Sequence, residues 1–188
     1  MIFNKKGFTL IELMTVIAII TIISGSVIYL SPKLITRQRL KNDAWQVLND
    51  IKEVQERARA QLERLKIEID LNSKTSYKYE KRKNAICSEI NENIVIRNLT
   101  NNIFFKSVKI GNTTYGTGKV TFLYDEWGVP KKIDSNEPNN PCKINISDSG
   151  EIVITIETTS LKNNEGNNLS VDIIVSPGTG RLRMDGPK

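Results

Sequence analysis

A lone carboxylate in an apolar run is the residue best placed to do chemistry in this 188-residue chain. From Phe8 to Leu30 the sequence reads FTLIELMTVIAIITIISGSVIYL, and Glu12 is its only charged residue. An ionised carboxylate in hydrocarbon costs roughly 2.5–3.5 kcal/mol at a helix centre, and less near an end. Such a group calls for a partner. The other chemical candidates are weaker. Asp125-Glu126 is a carboxylate pair beside Trp127 and Gly128, and it reads as a solvated turn before it reads as a cation site. Asp148-Ser149-Gly150 lacks the ligand spacing of a calcium loop. Arg181, Arg183 and Lys188 make a small basic C-terminus diluted by Asp185. Cys87 and Cys142 are the only thiols.

The chain has no histidine. That removes the commonest general base, the Ser/His and Cys/His nucleophile pairs, and the usual zinc ligand. Two cysteines cannot build a four-thiolate zinc site. There is no G-x-S-x-G, no Walker loop and no G-x-G-x-x-G. The sequence therefore points away from an enzyme and implies no cofactor and no metal. Lys+Arg 27 against Asp+Glu 21 gives a net charge of +6, which permits anionic partners without requiring them. With 26% charged residues and a mean hydropathy of −0.30, the chain is neither a polytopic membrane protein nor a disordered tail.

The element that carries Glu12 comes next. As a helix, Phe8 to Leu30 spans roughly 35 Å at about 1.5 Å per residue, enough for a bilayer. Lys5 and Lys6 ahead of it predict a cytoplasmic N-terminus with the remainder exported. Three readings compete for this stretch. A secretory signal peptide accounts for the basic start, with Ser24 and Ser26 near a small-residue cleavage site, but not for the length or the carboxylate. A plain membrane anchor fits the length and leaves Glu12 without a role.

The third reading is a resemblance. KKGFTLIELMTVIAII, Lys5 to Ile20, resembles the processing and assembly signature of type IV pilins and type II secretion pseudopilins. It has a basic leader ending in Gly7, Phe8 after the cut, and Glu12 as the fifth residue of the mature chain. The resemblance implies cleavage after Gly7 by a prepilin peptidase, N-methylation of Phe8, and an assembly role for Glu12. The apolar helix would then serve first as membrane anchor and later as filament core. Physics suits those roles. Glycine leaves the peptidase unobstructed, and cutting there creates an ammonium on Phe8 that a neighbouring copy's Glu12 would satisfy where water is absent.

Beyond Pro32, which can kink or interrupt a helix locally, Lys33 to Asp70 holds no Gly or Pro. Leu48, Ile51, Val54, Ala58, Leu62, Leu65 and Ile69 recur at spacings of three and four and define one helical face. Charges of both signs fill the positions between, including the i,i+4 pair Glu53–Arg57. The spacing predicts a helix to Asp70, lying either on the chain's own β domain or on a coiled-coil partner. After Asp70 the texture turns to Asn, Ser, Thr and Gly with short β-branched runs. Expected strands are Ile94–Leu99, Ile103–Ile110, Lys119–Tyr124, Lys143–Ser147, Glu151–Glu157 and Ser170–Ser176, with a short one at Arg181–Met184. Asp148-Ser149-Gly150 signals a hairpin and Pro177-Gly178-Thr179-Gly180 a second turn. Tyr77 to Lys83 reads as a basic bridge.

The expected fold class is α+β, a long N-terminal helix packed on a C-terminal antiparallel β domain. Its parts are a cleaved leader over 1–7, a transmembrane or filament-core helix over 8–30, an amphipathic stem over 31–70 and the β domain over 71–188. Two stretches resemble the GspH/FimT group of minor pilins: Val120 to Pro130, and Asp172 to Arg183 with its Gly-Arg-x-Arg end. That resemblance implies other pilin or pseudopilin subunits, the prepilin peptidase and an inner-membrane assembly platform as partners, with DNA or secreted cargo as further candidates. It places the chain in the inner membrane, single-pass, with the C-terminal domain periplasmic or extracellular. In FimT-like minor pilins a comparable basic end is implicated in DNA uptake, which makes Arg181, Arg183 and Lys188 the candidate DNA-binding residues. On the exported side, Cys87 and Cys142 are candidates for a disulfide worth about 4 kcal/mol if unstrained. The alternative is two separate buried thiols.

Overall fold

A computed structural model of the chain describes residues 8–80, 94–134 and 145–188, with the side chains of 25–31, 134, 145 and 146 outside the description. The chain divides into two compact units, Met1–Thr36 and Arg37–Lys188. Helix α1 is assigned over Leu10–Gln61 and continues through Pro32.

In the first unit, α1 starts on a reciprocal cap. Thr9 precedes the helix and its hydroxyl accepts from the N–H of Glu12 at 3.3 Å. Glu12 Oε2 in turn accepts from the Thr9 N–H at 3.1 Å and from its hydroxyl at 3.0 Å. This is a capping box, which satisfies backbone donors that the first helical turn leaves without partners. No helix among the described residues is long and apolar enough to cross a membrane. The apolar stretch has described side chains only from Phe8 to Ser24.

In the second unit, α1 lays Leu40, Ala44, Val47, Ile51, Val54 and Ala58 into one core shared with two sheets. The expected apolar face is correct at Leu48, Ile51, Val54 and Ala58, all buried, and its surface is the chain's own β domain. The six-stranded sheet has the order β3-β2-β1-β6-β7-β8, and the five-stranded sheet the order β11-β10-β9-β4-β5. Their strands are β1 Leu65–Asp70, β2 Ser76–Glu80, β3 Ile94–Asn98, β4 Ile103–Ile110, β5 Thr113–Tyr115, β6 Lys119–Tyr124, β7 Pro130–Asp134, β8 Asn145–Asp148, β9 Ile152–Lys162, β10 Asn168–Val175 and β11 Leu182–Asp185. Every pairing between them is antiparallel. An α+β fold with a helix on antiparallel sheets is therefore present.

Three expectations need correction. The stem helix does not run to Asp70. It stops at Gln61, where Leu62 adopts φ 52° and the N–H of Glu63 donates to the Ala58 carbonyl at 3.1 Å. That is a Schellman stop, made with leucine where glycine is usual. Leu65, Ile67 and Ile69 then alternate inward as β1, so two residues assigned to the helical face belong to a strand. Second, Tyr77 to Glu80 of the expected bridge belong to β2 (Ser76–Glu80), with Tyr77 and Tyr79 buried, while Lys81 to Lys83 lie outside the described residues. Third, Asp148-Ser149-Gly150 is no hairpin. β8 pairs with β7 in one sheet and β9 with β4 and β10 in the other, so the turn carries the chain between sheets. Buried Ser149 holds that crossing by donating to the Pro130 carbonyl at 3.0 Å.

Candidate functional site

The segment from Phe8 to Ile23 is apolar on every side. Leu10, Ile11, Leu13, Met14, Val16, Ile17, Ile19, Ile20, Ile22 and Ile23 are all exposed in the chain by itself. A helix that is hydrophobic all round is usually covered, by protein or by lipid. Its hydroxyls are already satisfied internally: Thr15 donates to the Glu12 carbonyl at 2.9 Å and Thr21 to that of Ala18 at 2.8 Å. Glu12 is thus the one ionisable group in the stretch, and both bonds from Thr9 fall on the same oxygen, Oε2.

The sequence reading missed this cap, although Thr9-x-x-Glu12 carries its spacing. Phe8 lies directly before the cap and is exposed. Gly7 lies outside the described residues, as do Cys87 and Cys142. Neither the cleavage position nor the candidate disulfide is brought into view.

At the C-terminus, the three candidate DNA-binding cations are all exposed. Lys188 Nζ donates to Asp172 at 2.9 Å and Arg183 lies 3.6 Å from Asp185. The Asp172 hydrogen bond holds the Lys188 ammonium above its usual pKa. These pairings neutralise two of the three cations. Arg181 precedes β11 rather than sharing it with Arg183.

The Asp125-Glu126 pair behaves as a turn. Asp125 Oδ1 accepts from the N–H groups of Trp127 at 3.0 Å and Val129 at 2.7 Å, while Glu126 meets Arg64 at 3.2 Å. Among the described residues no acidic, cysteine or histidine cluster could hold a metal ion.

A second set of polar contacts was invisible in the sequence. Asp43 and Asp50, seven apart on the buried side of α1, fix the helix to the β domain. Asp43 accepts from the Thr100 N–H at 2.7 Å and hydroxyl at 2.9 Å. Asp50 accepts from the buried Tyr77 hydroxyl at 2.6 Å and faces Arg97 at 3.6 Å. Burial, and then that bond, push the Tyr77 phenol well above its usual pKa. Farther along, the Gln55 amide donates to the Gly128 carbonyl at 2.9 Å and Arg59 Nε to that of Trp127 at 2.9 Å. The sequence shows these polar residues on the helix but not the distant partners that make the burial of Asp43, Asp50 and Gln55 tolerable.

Residues 2–28 match the family described as the prokaryotic N-terminal methylation motif. The match, which covers only this N-terminal stretch, supports a type IV pilin-like prepilin family and suggests a prepilin peptidase substrate. No curated protein and no solved structure matches the chain.

Proposed function

We propose that this chain is a minor pilin or pseudopilin of the GspH/FimT type, a structural subunit of a type II secretion pseudopilus or a type IV pilus. Prepilin peptidase cuts after Gly7 and methylates Phe8. The helix from Phe8 to about Leu30 holds the subunit in the inner membrane, N-terminus cytoplasmic, with the β domain periplasmic or extracellular. On assembly that helix leaves the lipid for a bundle of like helices. Its partners are other pilin or pseudopilin subunits, the peptidase and the inner-membrane assembly platform. The chain performs no catalysis of its own.

The observation that carries this reading is Glu12 on a helix start that is otherwise apolar all round, inside the methylation motif. Ion pairing at Arg183 and Lys188 gives the DNA-uptake alternative no support beyond the basic composition. N-terminal mass spectrometry of the membrane-extracted protein tests the proposal. A chain beginning at methylated Phe8 is expected, and one beginning near Val27 would make it an ordinary secreted domain.

A further inference from the structure

From Leu13 to Asn42 the chain has no acid and four cations, Lys33, Arg37, Arg39 and Lys41. They follow the apolar stretch, on the side that the subunit reading exports. Cations usually gather on the cytoplasmic side of a span, so this excess calls for a reason of its own.

The last three belong to the second unit and to one short stretch of α1. Arg39 is exposed, and Arg37 and Lys41 are half-buried on either side of it. Among the described residues none of the three has a carboxylate partner. The nearest acid on the helix, Asp43, spends one oxygen on the Thr100 N–H and the other on its hydroxyl. Every cation of α1 beyond Asp43 does have a partner. Lys52 faces Glu56 at 3.8 Å, Arg57 faces Glu53 at 2.8 Å, and Arg59 Nε donates to the Trp127 carbonyl at 2.9 Å.

Helical geometry decides what could neutralise the three. Successive residues turn by about 100° and rise about 1.5 Å. Arg37 and Arg39 therefore project from nearly opposite sides of the helix, only about 3 Å apart in height, and Lys41 returns to within about 40° of Arg37. A protein or nucleic acid lying along one side meets part of this set. A ring of headgroups around the helix meets all of it. Arg37 follows Leu30 by seven residues and Lys41 by eleven, about 10 and 16 Å of helix. The headgroup zone extends roughly 5–7 Å beyond the hydrocarbon, and exposed charges act over a Debye length of about 8 Å. Helical side chains also lean towards the N-terminus, here the apolar end, which brings all three within reach of the phosphates.

We propose that Arg37, Arg39 and Lys41 form a collar for acidic phospholipid headgroups, binding the phosphate oxygens of the exported leaflet. The planar fork of arginine suits that task, since it meets two phosphate oxygens at once. The collar rests on the subunit reading, which supplies the membrane, and it fixes the height at which α1 leaves the bilayer.

The test reconstitutes the full chain in vesicles of equal parts phosphatidylcholine and phosphatidylglycerol and counts the lipids it retains by native mass spectrometry. One cation at a membrane surface is worth about a factor of five. Phosphatidylglycerol should therefore exceed phosphatidylcholine among the retained lipids by about fivefold or more. Arg37→Gln with Arg39→Gln and Lys41→Gln should make the two lipids nearly equal, and Lys52→Gln with Arg57→Gln should leave the excess unchanged. No excess, an excess that survives the triple change, or its loss on adding soluble glycerol phosphate would overturn the proposal. An alkaline carbonate wash reports the anchor separately. A chain stripped from the vesicles refutes the membrane reading and the collar with it, whereas a chain that stays and retains both lipids equally refutes the collar alone.

Discussion

Glu12→Gln separates the cap that the carboxylate makes in the structure from the charge pairing that the subunit reading assigns to it. In the chain by itself, Oε2 accepts from the Thr9 N–H at 3.1 Å and from its hydroxyl at 3.0 Å. A glutamine oxygen can take both bonds, since capping boxes accept Glu or Gln at this position. The helix start should then change by only a few tenths of a kcal/mol. The charge, however, is lost. On the subunit reading, a neighbour's Phe8 ammonium is left without its counter-ion in an apolar bundle. Breaking a buried pair in this way costs about 3–5 kcal/mol. At 1.4 kcal/mol per factor of ten, incorporation should fall roughly a hundredfold to a few thousandfold. Thr9→Ala makes the opposite cut: it removes the cap, worth about 1 kcal/mol, and keeps the charge, so incorporation should fall only about fivefold. The assay is the ratio of chain in the sheared filament fraction to chain in the membrane, with the assembly machinery co-expressed. If Glu12→Gln incorporates within twofold of the parent, or Thr9→Ala loses as much as Glu12→Gln, the charge is not what drives docking.

Asp43→Ala strips Thr100 of both its bonds at a site where the acid is 7% exposed, and should cost about 2–3 kcal/mol in urea unfolding of the detergent-solubilised chain. Leu62→Gly relieves a left-handed backbone at a side chain that is 70% exposed. It should stabilise by about 0.5–1 kcal/mol in the same measurement, after allowing for glycine's extra chain entropy. The Asn72 N–H bonded to Asp70, and the Lys131 ammonium bonded to Asp148, hold those carboxyls below their usual pKa. Their contribution is complete above the unfolded value of about 4 and is lost as pH falls through the lowered folded values. Asp70→Asn with Asp148→Asn should therefore flatten the acid limb of stability against pH, with little change near neutrality. Tyr77 acts at the other end: its raised phenol pKa favours the folded state until pH passes about 10, above which stability declines. Tyr77→Phe should remove that component of the alkaline limb.

Much of the β domain was legible because alternating strands announce themselves. Ile103–Ile110 and Lys119–Tyr124 form strands with the expected limits. The helix end was not legible. Leu62 occupies a position that glycine normally marks, and Leu65 and Ile69 satisfy a helical spacing and a strand alternation equally well. What decides between them is tertiary: β1 sits between β2 and β6, with Ile67 facing Tyr79 on one side and Phe122 on the other. The same holds for Asp148-Ser149-Gly150, whose composition predicts a turn but not which sheets the turn connects. Glu12 was found by its isolation, since one charge in an apolar run stands out without any structure. Its partner Thr9 was overlooked because threonine is unremarkable in such a run, although the three-residue spacing was there. Asp43 and Asp50 look like ordinary helix charges until Thr100 and Tyr77 arrive from distant parts of the chain.

The cap at Thr9 also bears on why a chain cut after Gly7 would assemble rather than stay in lipid. The first turn of α1 exposes the positive end of the helix dipole, and Glu12 lies within it. Cutting beside Phe8 adds an ammonium one residue before the cap, so two positive features crowd the same end in a medium that solvates neither. A single carboxylate must then serve its own helix start and the new amine. Both of its bonds from Thr9 use Oε2, and a carboxylate accepts at two oxygens. It can therefore take a neighbour's ammonium on Oε1 without surrendering its cap. Assembly on this reading adds a bond at Glu12 rather than exchanging one for another. That is the physical reason for expecting the loss of charge to matter far more than the loss of the threonine.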